Sequence, residues 1–285
     1  MPERSGPSLR GRQLARELRR LREAAQLTGE AAAAQLGWSS AKVSRIETAR
    51  TPVTLSDLRK LLDLYGARDI DLQRMEDMAR AARQRGWWDT YAGDLPLEYT
   101  TYIGLEAEAS LLRSYNVLVL HGLLQTEEYA RAVLKSLLLI SPGEVDRGVR
   151  VRRLRQKRLS QEDGVPLTLR VVLDEAVLRR HIGGPEVMRR QLQHLVDVAQ
   201  LPNVELQVLP YAAGAHPASA SAFTILQFPR SSEPEITSVE LLDGHLFIEG
   251  ERDVYRYTLV FDGLSTKALN PDESLGFIRE VISDL

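Results

Sequence analysis

Residues 28–50, TGEAAAAQLGWSSAKVSRIETAR, constrain the fold of this chain more than any other stretch, because they encode two short capped helices joined by a tight turn. Thr28 is placed to cap the first helix. Gly37 supplies the left-handed backbone conformation that ends it. Ser39 is then placed to cap a second helix over residues 40–47. The pattern predicts a helix-turn-helix.

The second helix has one side suited to a protein core and one side suited to a ligand. Val43 and Ile46 are three residues apart, so they share a face and can pack inward. The start and the outer face carry small and basic side chains, which suit a DNA major groove because the first turns of such a helix meet base edges there. These side chains are Ser40, Ala41, Lys42 and Arg45.

The formal net charge of −2 conceals an asymmetry along the chain. Residues 1–60 carry 12 Lys and Arg against 6 Asp and Glu, whereas the other 225 residues carry 25 against 33. A basic head on an acidic body is expected when only the head meets a polyanion. The alternative is a solvated basic helix face, and charge alone does not separate the two.

Length and composition limit the class of protein. A chain of 285 residues is long enough for two or three domains with their own cores. The absence of cysteine excludes disulfides, thiolate zinc sites and cysteine nucleophiles. No apolar run approaches the ~20 residues that a membrane helix needs, and the N-terminal stretch lacks the apolar core of a signal peptide. These features predict a cytoplasmic protein without membrane contact.

The N-terminal part reads as a compact all-α domain over residues 9–85. Residues 1–8 are polar, contain two prolines and are predicted to be disordered. Besides the helix-turn-helix, leucine and methionine spacing predicts three further helices, at residues 9–25, 54–65 and 69–85. A predicted linker, residues 86–96, follows and contains Trp87 and Trp88.

The region 97–285 alternates between helical and strand patterns, which predicts an α/β or α+β regulatory or dimerisation domain. The whole chain is therefore assigned to a multidomain class of α and α/β type. Strands are predicted at residues 167–173, 204–209, 222–228, 236–242 and 245–249. Helices are predicted at residues 103–115, 124–139, 145–160, 174–181, 185–200, 253–269 and 270–285.

The predicted helix 145–160 is strongly basic and is a second candidate for nucleic-acid contact. Such a run more often forms a solvated face or pairs with neighbouring acids, and this structural interpretation is favoured here. The acids that are near in sequence are Glu127, Glu128, Glu144 and Asp146.

Several blocks of this chain resemble a known family. Residues 28–50 resemble the helix-turn-helix of Xre-type regulators, whose domain is a lambda repressor-like bundle. The body carries VLHGLLQTEEYARA at 119–132, VLDEAVLRRHIGG at 172–184 and ALNPDESLGFI at 268–278. Together they are similar to actinobacterial Xre regulators with a WhiJ-like or antitoxin-like C-terminal domain of uncharacterised function.

The resemblance implies a transcriptional regulator of development or secondary metabolism that binds double-stranded DNA as a homodimer and works with a small partner protein encoded nearby. The base-contacting positions of the family fall on Ser40, Ala41, Lys42 and Arg45, and a phosphate contact falls on Arg50. The DNA-binding residues expected from the motif and the resemblance are Thr28, Ser39, Ser40, Ala41, Lys42, Ser44, Arg45 and Arg50.

Three positions depart from the family pattern. Gly29 replaces a frequent glutamine, so a phosphate contact there must come from the backbone or from Thr28. Ala49 replaces the glycine that usually follows the recognition helix, which predicts either a different turn or strain of ~1 kcal/mol. His121 replaces a proline before Gly-Leu-Leu-Gln-Thr. Glu47 is expected to pair with Arg19 or Arg22 and so to fix the recognition helix.

An enzyme is a weaker hypothesis, and neither a metal nor a cofactor is predicted. The pairs Asp174–Glu175 and Glu240–Asp243, with His181 and His245, form no zinc-binding spacing. Asp174–Glu175 is placed where a strand meets a helix, which is ordinary capping chemistry. The chain contains no phosphate-binding loop and no nucleophile elbow.

Three alternatives for the body remain open. It can bind a protein partner, support dimerisation, or sense a small-molecule ligand, as an α/β domain after a DNA-binding head often does. No convergent polar cluster identifies such a ligand. The aromatic side chains available for it are Trp87, Trp88, Tyr211, Phe223 and Phe228.

Overall fold

The computed structural model describes residues 9–67, 69–82, 86–91, 93–137, 141–160, 165–218, 221–229, 234–241 and 244–285, so the segment predicted to be disordered, 1–8, lies outside it. The chain forms two compact units, Met1–Leu105 and Glu106–Leu285. The division falls later than the predicted linker 86–96. Within the first unit, the Trp88 indole lies so close to Gly104 that a Cβ there would be 3.3 Å from Nε1.

The first unit contains the five predicted helices. They are α1 (Leu9–Ala24), α2 (Gly29–Leu36), α3 (Ser40–Glu47), α4 (Leu55–Leu64) and α5 (Asp69–Ala81), followed by a 3₁₀ helix, Trp87–Tyr91. The end of the predicted fifth helix, residues 83–85, lies outside the described residues. The core of this unit is built from leucines of α1 and α4 together with Ala32, Ile46 and Met75.

The caps that define the helix-turn-helix are those expected from the sequence. The Thr28 hydroxyl accepts a hydrogen bond from the Ala31 amide at 3.1 Å, and the Ser39 hydroxyl accepts one from the Lys42 amide at 3.2 Å. Gly37 has φ of +66°, the left-handed conformation that turns the chain from α2 into α3.

The second unit is a mixed sheet with helices, which confirms the predicted α/β class. Its strands are β1 (Leu111–Asn116), β2 (Thr168–Asp174), β3 (Val204–Leu209), β4 (Phe223–Gln227), β5 (Ile236–Leu241) and β6 (Gly244–Ile248). A sixth helix, α6 (Leu97–Glu108), begins in the first unit and ends in the second. The helices of the second unit that follow it are α7 (Glu127–Ser136), α8 (Pro142–Gln156), α9 (Glu175–Arg179), α10 (Pro185–Val198), α11 (Glu251–Lys267) and α12 (Pro271–Ser283).

The sheet order is β3-β2-β1-β4-β5-β6, with β1, β2 and β3 parallel and the other pairings antiparallel. Residue Tyr115 of β1 is paired with Val172 on one side and Phe223 on the other. These three side chains pack with Phe261 and Leu264 of α11 in one apolar cluster on that face of the sheet.

The predicted helix 103–115 is wrong in its second half, because residues 111–116 form β1. This strand is central in the sheet, so its backbone hydrogen bonds go to β2 and β4 instead of to its own next turn. Arg113 of this strand pairs with Glu235 at 2.6 Å. Long-range strand pairing overrides local propensity here.

Two arginines of the basic helix α8, Arg153 and Arg155, contact carboxylates of the protein. The buried Arg155 guanidinium donates two hydrogen bonds of 2.7 Å to the Glu106 carboxylate, and Arg153 lies 3.5 Å from Glu127. The Arg158 guanidinium, just past the helix, donates to the Ala109 carbonyl at 2.8 Å. These contacts support the structural interpretation of this helix.

Candidate nucleic-acid interface

Helix α3 presents one face to the core and the other to solvent. Val43 and Ile46 are buried, as their spacing predicted. The predicted DNA-binding residues lie on the opposite face and around it. Of these, Lys42 is half-buried, and the exposed ones are Thr28, Ser39, Ser40, Ala41, Ser44, Arg45 and Arg50.

An ion pair links this helix to α1. The Arg22 guanidinium donates two hydrogen bonds to the Glu47 carboxylate, at 2.8 and 2.9 Å, and both side chains are largely buried. It also donates to the Leu27 carbonyl at 2.7 Å. The bonds to Glu47 raise the pKa of Arg22. The predicted pairing is therefore with Arg22, whereas Arg19 pairs with Glu23 at 2.8 Å.

The turn that leaves α3 carries the strain expected from its alanine. Ala49 has φ of +55°, in the left-handed region that favours glycine. Its amide donates to the Ile46 carbonyl at 3.0 Å, and the Thr51 amide donates to the Arg45 carbonyl at 3.2 Å. The turn is therefore closed by hydrogen bonds in spite of its cost, and it leads directly to Arg50.

Replacing Ala49 by glycine should stabilise the first unit by about 0.5–1 kcal/mol, because glycine adopts this φ without a steric penalty. Urea unfolding followed by tryptophan fluorescence checks this, since Trp38, Trp87 and Trp88 all lie in that unit. Ala34→Gly, at an exposed position inside α2, is the matched control and should destabilise by a similar amount. If both variants lowered the free energy of unfolding by the same amount, the proposed strain at Ala49 would be wrong.

Arg45 and Arg50 differ from Lys42 in their side-chain contacts. Neither Arg45 nor Arg50 forms a side-chain ion pair or hydrogen bond within the part of the chain that is described. Arg45 borders a groove of about 500 Å³ that Thr51 and Pro52 also line. The Lys42 ammonium, in contrast, lies 3.0 Å from the Asp57 carboxylate and 3.7 Å from the centroid of the Trp38 ring.

Comparison with known families agrees with the two units. A family model described as a helix-turn-helix domain matches residues 13–75. A second model, a domain of unknown function called DUF5753, matches residues 99–280, which is more than half of the chain. The chain belongs to the DUF5753 family. No curated protein and no solved structure matches it.

The helix-turn-helix match indicates that this DUF5753 protein is a DNA-binding regulator. The match covers every residue of the predicted interface. Among the described residues, no helix is long and apolar enough to span a membrane.

Asp174 and Glu175, which are candidates for an enzyme site, have structural contacts in this DUF5753 protein. The Asp174 carboxylate accepts a hydrogen bond from the Ala176 amide at 2.9 Å and so caps α9. Glu175 pairs with Arg179 and accepts a hydrogen bond from the Tyr211 amide at 2.8 Å. Within the described ranges, no group of three or more His, Asp or Glu side chains could hold a metal ion. Asp243 of the other pair lies outside those ranges.

Two side chains of the interface were missed by sequence reasoning. The sequence predicts no role for Trp38, although its spacing of four residues from Lys42 allows the contact that is found. Asp57 lies fifteen residues from Lys42 in another helix, so no local pattern could reveal that ion pair.

Proposed function

We propose that this protein is a sequence-specific transcriptional regulator of Xre type that reads an operator with α3. One observation carries the proposal. Arg45 is an exposed cation on the outer face of a helix that is capped by Ser39 and braced by the Arg22–Glu47 pair. A rigidly held guanidinium can donate two hydrogen bonds to the major-groove edge of guanine.

The remaining predicted residues, apart from Lys42, take supporting roles in this proposal. Ser40, Ala41 and Ser44 contact base edges or the thymine methyl group. Arg50 and the start of α2, near Thr28, contact phosphates and set the register on the duplex. Gly29 adds no side chain there, so this anchor depends on backbone N–H groups.

We further propose that the protein acts as a homodimer whose C-terminal domain dimerises and receives a small partner protein or a signal. The DNA-contacting surface of α3 consists of serines, an alanine and few cations, so a single copy of the protein should bind DNA with modest affinity. Two copies on a two-fold operator multiply that affinity. A role in development or secondary metabolism rests on the family resemblance.

The salt dependence of DNA affinity tests the proposed function. The logarithm of the association constant should fall linearly with the logarithm of salt concentration, by about 0.9 for each phosphate neutralised. Fluorescence anisotropy with a labelled duplex measures it, and genome-wide mapping of bound sites supplies the operator. A flat response would show that the protein does not bind DNA electrostatically and would contradict the proposal.

A further inference from the structure

The lysine at the front of α3 is held by two neighbours. Its ammonium lies 3.0 Å from a carboxylate oxygen of Asp57 and 3.7 Å from the centre of the Trp38 ring. Only 35% of the Lys42 side chain and 19% of the Asp57 side chain are exposed. Both contacts neutralise or shield the charge that a phosphate would have to reach.

Both neighbours are themselves fixed in place. Trp38 is partly buried against the core of the first unit, in the turn directly after Gly37. The Asp57 amide donates a hydrogen bond of 2.9 Å to the Thr54 hydroxyl, which places its carboxylate in the first turn of α4. A carboxylate is favoured at that end of a helix. Lys42 is therefore held by groups that do not depend on it for their own positions.

Moving this lysine onto DNA would exchange one ion pair for another. The exchange would also leave the Asp57 carboxylate unpaired beside a polyanion, which raises its cost. Arg45 and Arg50 have no such competitor among the described side chains. Of these three cations, two are available to DNA and one is not.

Building on the proposed function, we infer that Asp57 is a specificity-determining residue that acts by holding Lys42 away from the phosphate backbone. A lysine on phosphate strengthens binding to every sequence equally, because phosphates carry no sequence information. Restraining Lys42 lowers the affinity for non-operator DNA and leaves discrimination to Arg45 and the small side chains of α3. Asp57 is thus a positioning residue for Lys42 and does not itself contact a base.

The test uses the full chain and a labelled duplex of about 30 base pairs with mixed sequence, so that it does not require a known operator. Asp57→Asn should bind this duplex about fivefold more tightly than the wild type at about 0.15 M salt, as expected for one additional phosphate contact. Its salt slope should be steeper by about 0.9. Lys42→Gln alone should leave the wild-type slope unchanged.

Matched variants separate this effect from a general change in charge or folding. Asp63→Asn removes an exposed carboxylate from the same helix and should not change the slope by a full unit. Asp57→Glu keeps the charge and should behave as the wild type. The double variant Asp57→Asn/Lys42→Gln should lose the added slope, because the released lysine is gone.

Three results would overturn the inference while leaving the proposed function intact. They are an unchanged slope in Asp57→Asn, an equal increase in the double variant, and a slope shallower by about 0.9 in Lys42→Gln, which would place Lys42 on a phosphate already. A wild-type protein that binds this duplex without any salt dependence would instead overturn the proposed function, and the inference with it.

Discussion

Arg45→Ala should lower the affinity for the operator by about fivefold to 150-fold, with the loss concentrated at one base pair. This corresponds to about 1–3 kcal/mol, the discrimination that a bidentate arginine–guanine contact provides. Truncation removes two charge-assisted hydrogen bonds and leaves the base edge without a partner. The buried side chains Val43 and Ile46 are untouched, so α3 should keep its position.

Binding to a set of operators with single base substitutions measures this effect. In the wild type, base substitution at one operator position should lower the affinity strongly. In Arg45→Ala, substitution at that position should no longer change the affinity. Arg50→Ala is the matched control, because a phosphate contact should weaken binding uniformly and reduce the salt slope by about 0.9. Equal losses for Arg45→Ala on every operator variant would show that Arg45 contacts the backbone and not a base.

The sequence was sufficient where the structure is determined by near neighbours. The caps Thr28 and Ser39 and the left-handed Gly37 each depend on residues within four positions. The strain at Ala49 could likewise be predicted, because only its own backbone conformation is involved. The Glu47–Arg22 pair spans 25 residues, but it could be anticipated because both side chains lie on helices that share the same small core.

The sequence was insufficient where the determining contact is distant. Residues 111–116 have no strand pattern strong enough to outweigh their helical pattern. They form β1 because they pair with β2, more than fifty residues away in sequence, and with β4, more than one hundred residues away. The Lys42–Asp57 pair has the same character on a smaller scale. Lys42, which is predicted to contact DNA, has an ion-pair partner that lies in another helix.

Distance in sequence also conceals the ion pair at the centre of the second unit. Glu106 lies near the end of α6 and Arg155 near the end of α8, and both side chains are at least 95% buried. Gly122 packs so closely on the guanidinium that a Cβ there would lie 2.9 Å from Nη1. The guanidinium therefore fixes the backbone of the GLLQT segment as well as the carboxylate.

Arg155→Met should lower the free energy of unfolding of the second unit by about 3–5 kcal/mol, because it leaves the Glu106 carboxylate buried without its bidentate partner. In the wild type, His121 supplies no cation to this carboxylate at neutral pH. Its Nε2 lies 4.0 Å from the carboxylate, and burial lowers the pKa of His121 to about 4, so the imidazole is uncharged.

Tryptophan fluorescence is a poor probe of this loss, since all three tryptophans lie in the first unit and Trp88 packs close to Gly104 of α6, the helix that carries Glu106. Hydrogen exchange of the β1 and β2 amides in the full chain measures it directly. Arg153→Met, with a side chain that is 70% exposed in the same helix, should have little effect.

The double variant Glu106→Gln/Arg155→Met distinguishes an unpaired charge from lost packing. If the cost of Arg155→Met is mainly that of a buried carboxylate without the Arg155 guanidinium, neutralising Glu106 should restore part of the stability, because an uncharged amide has a smaller desolvation cost. If the cost is mainly lost contact with Gly122, the double variant should be no more stable than the single one. Recovery would identify charge compensation as the main contribution of Arg155 to the stability of the second unit.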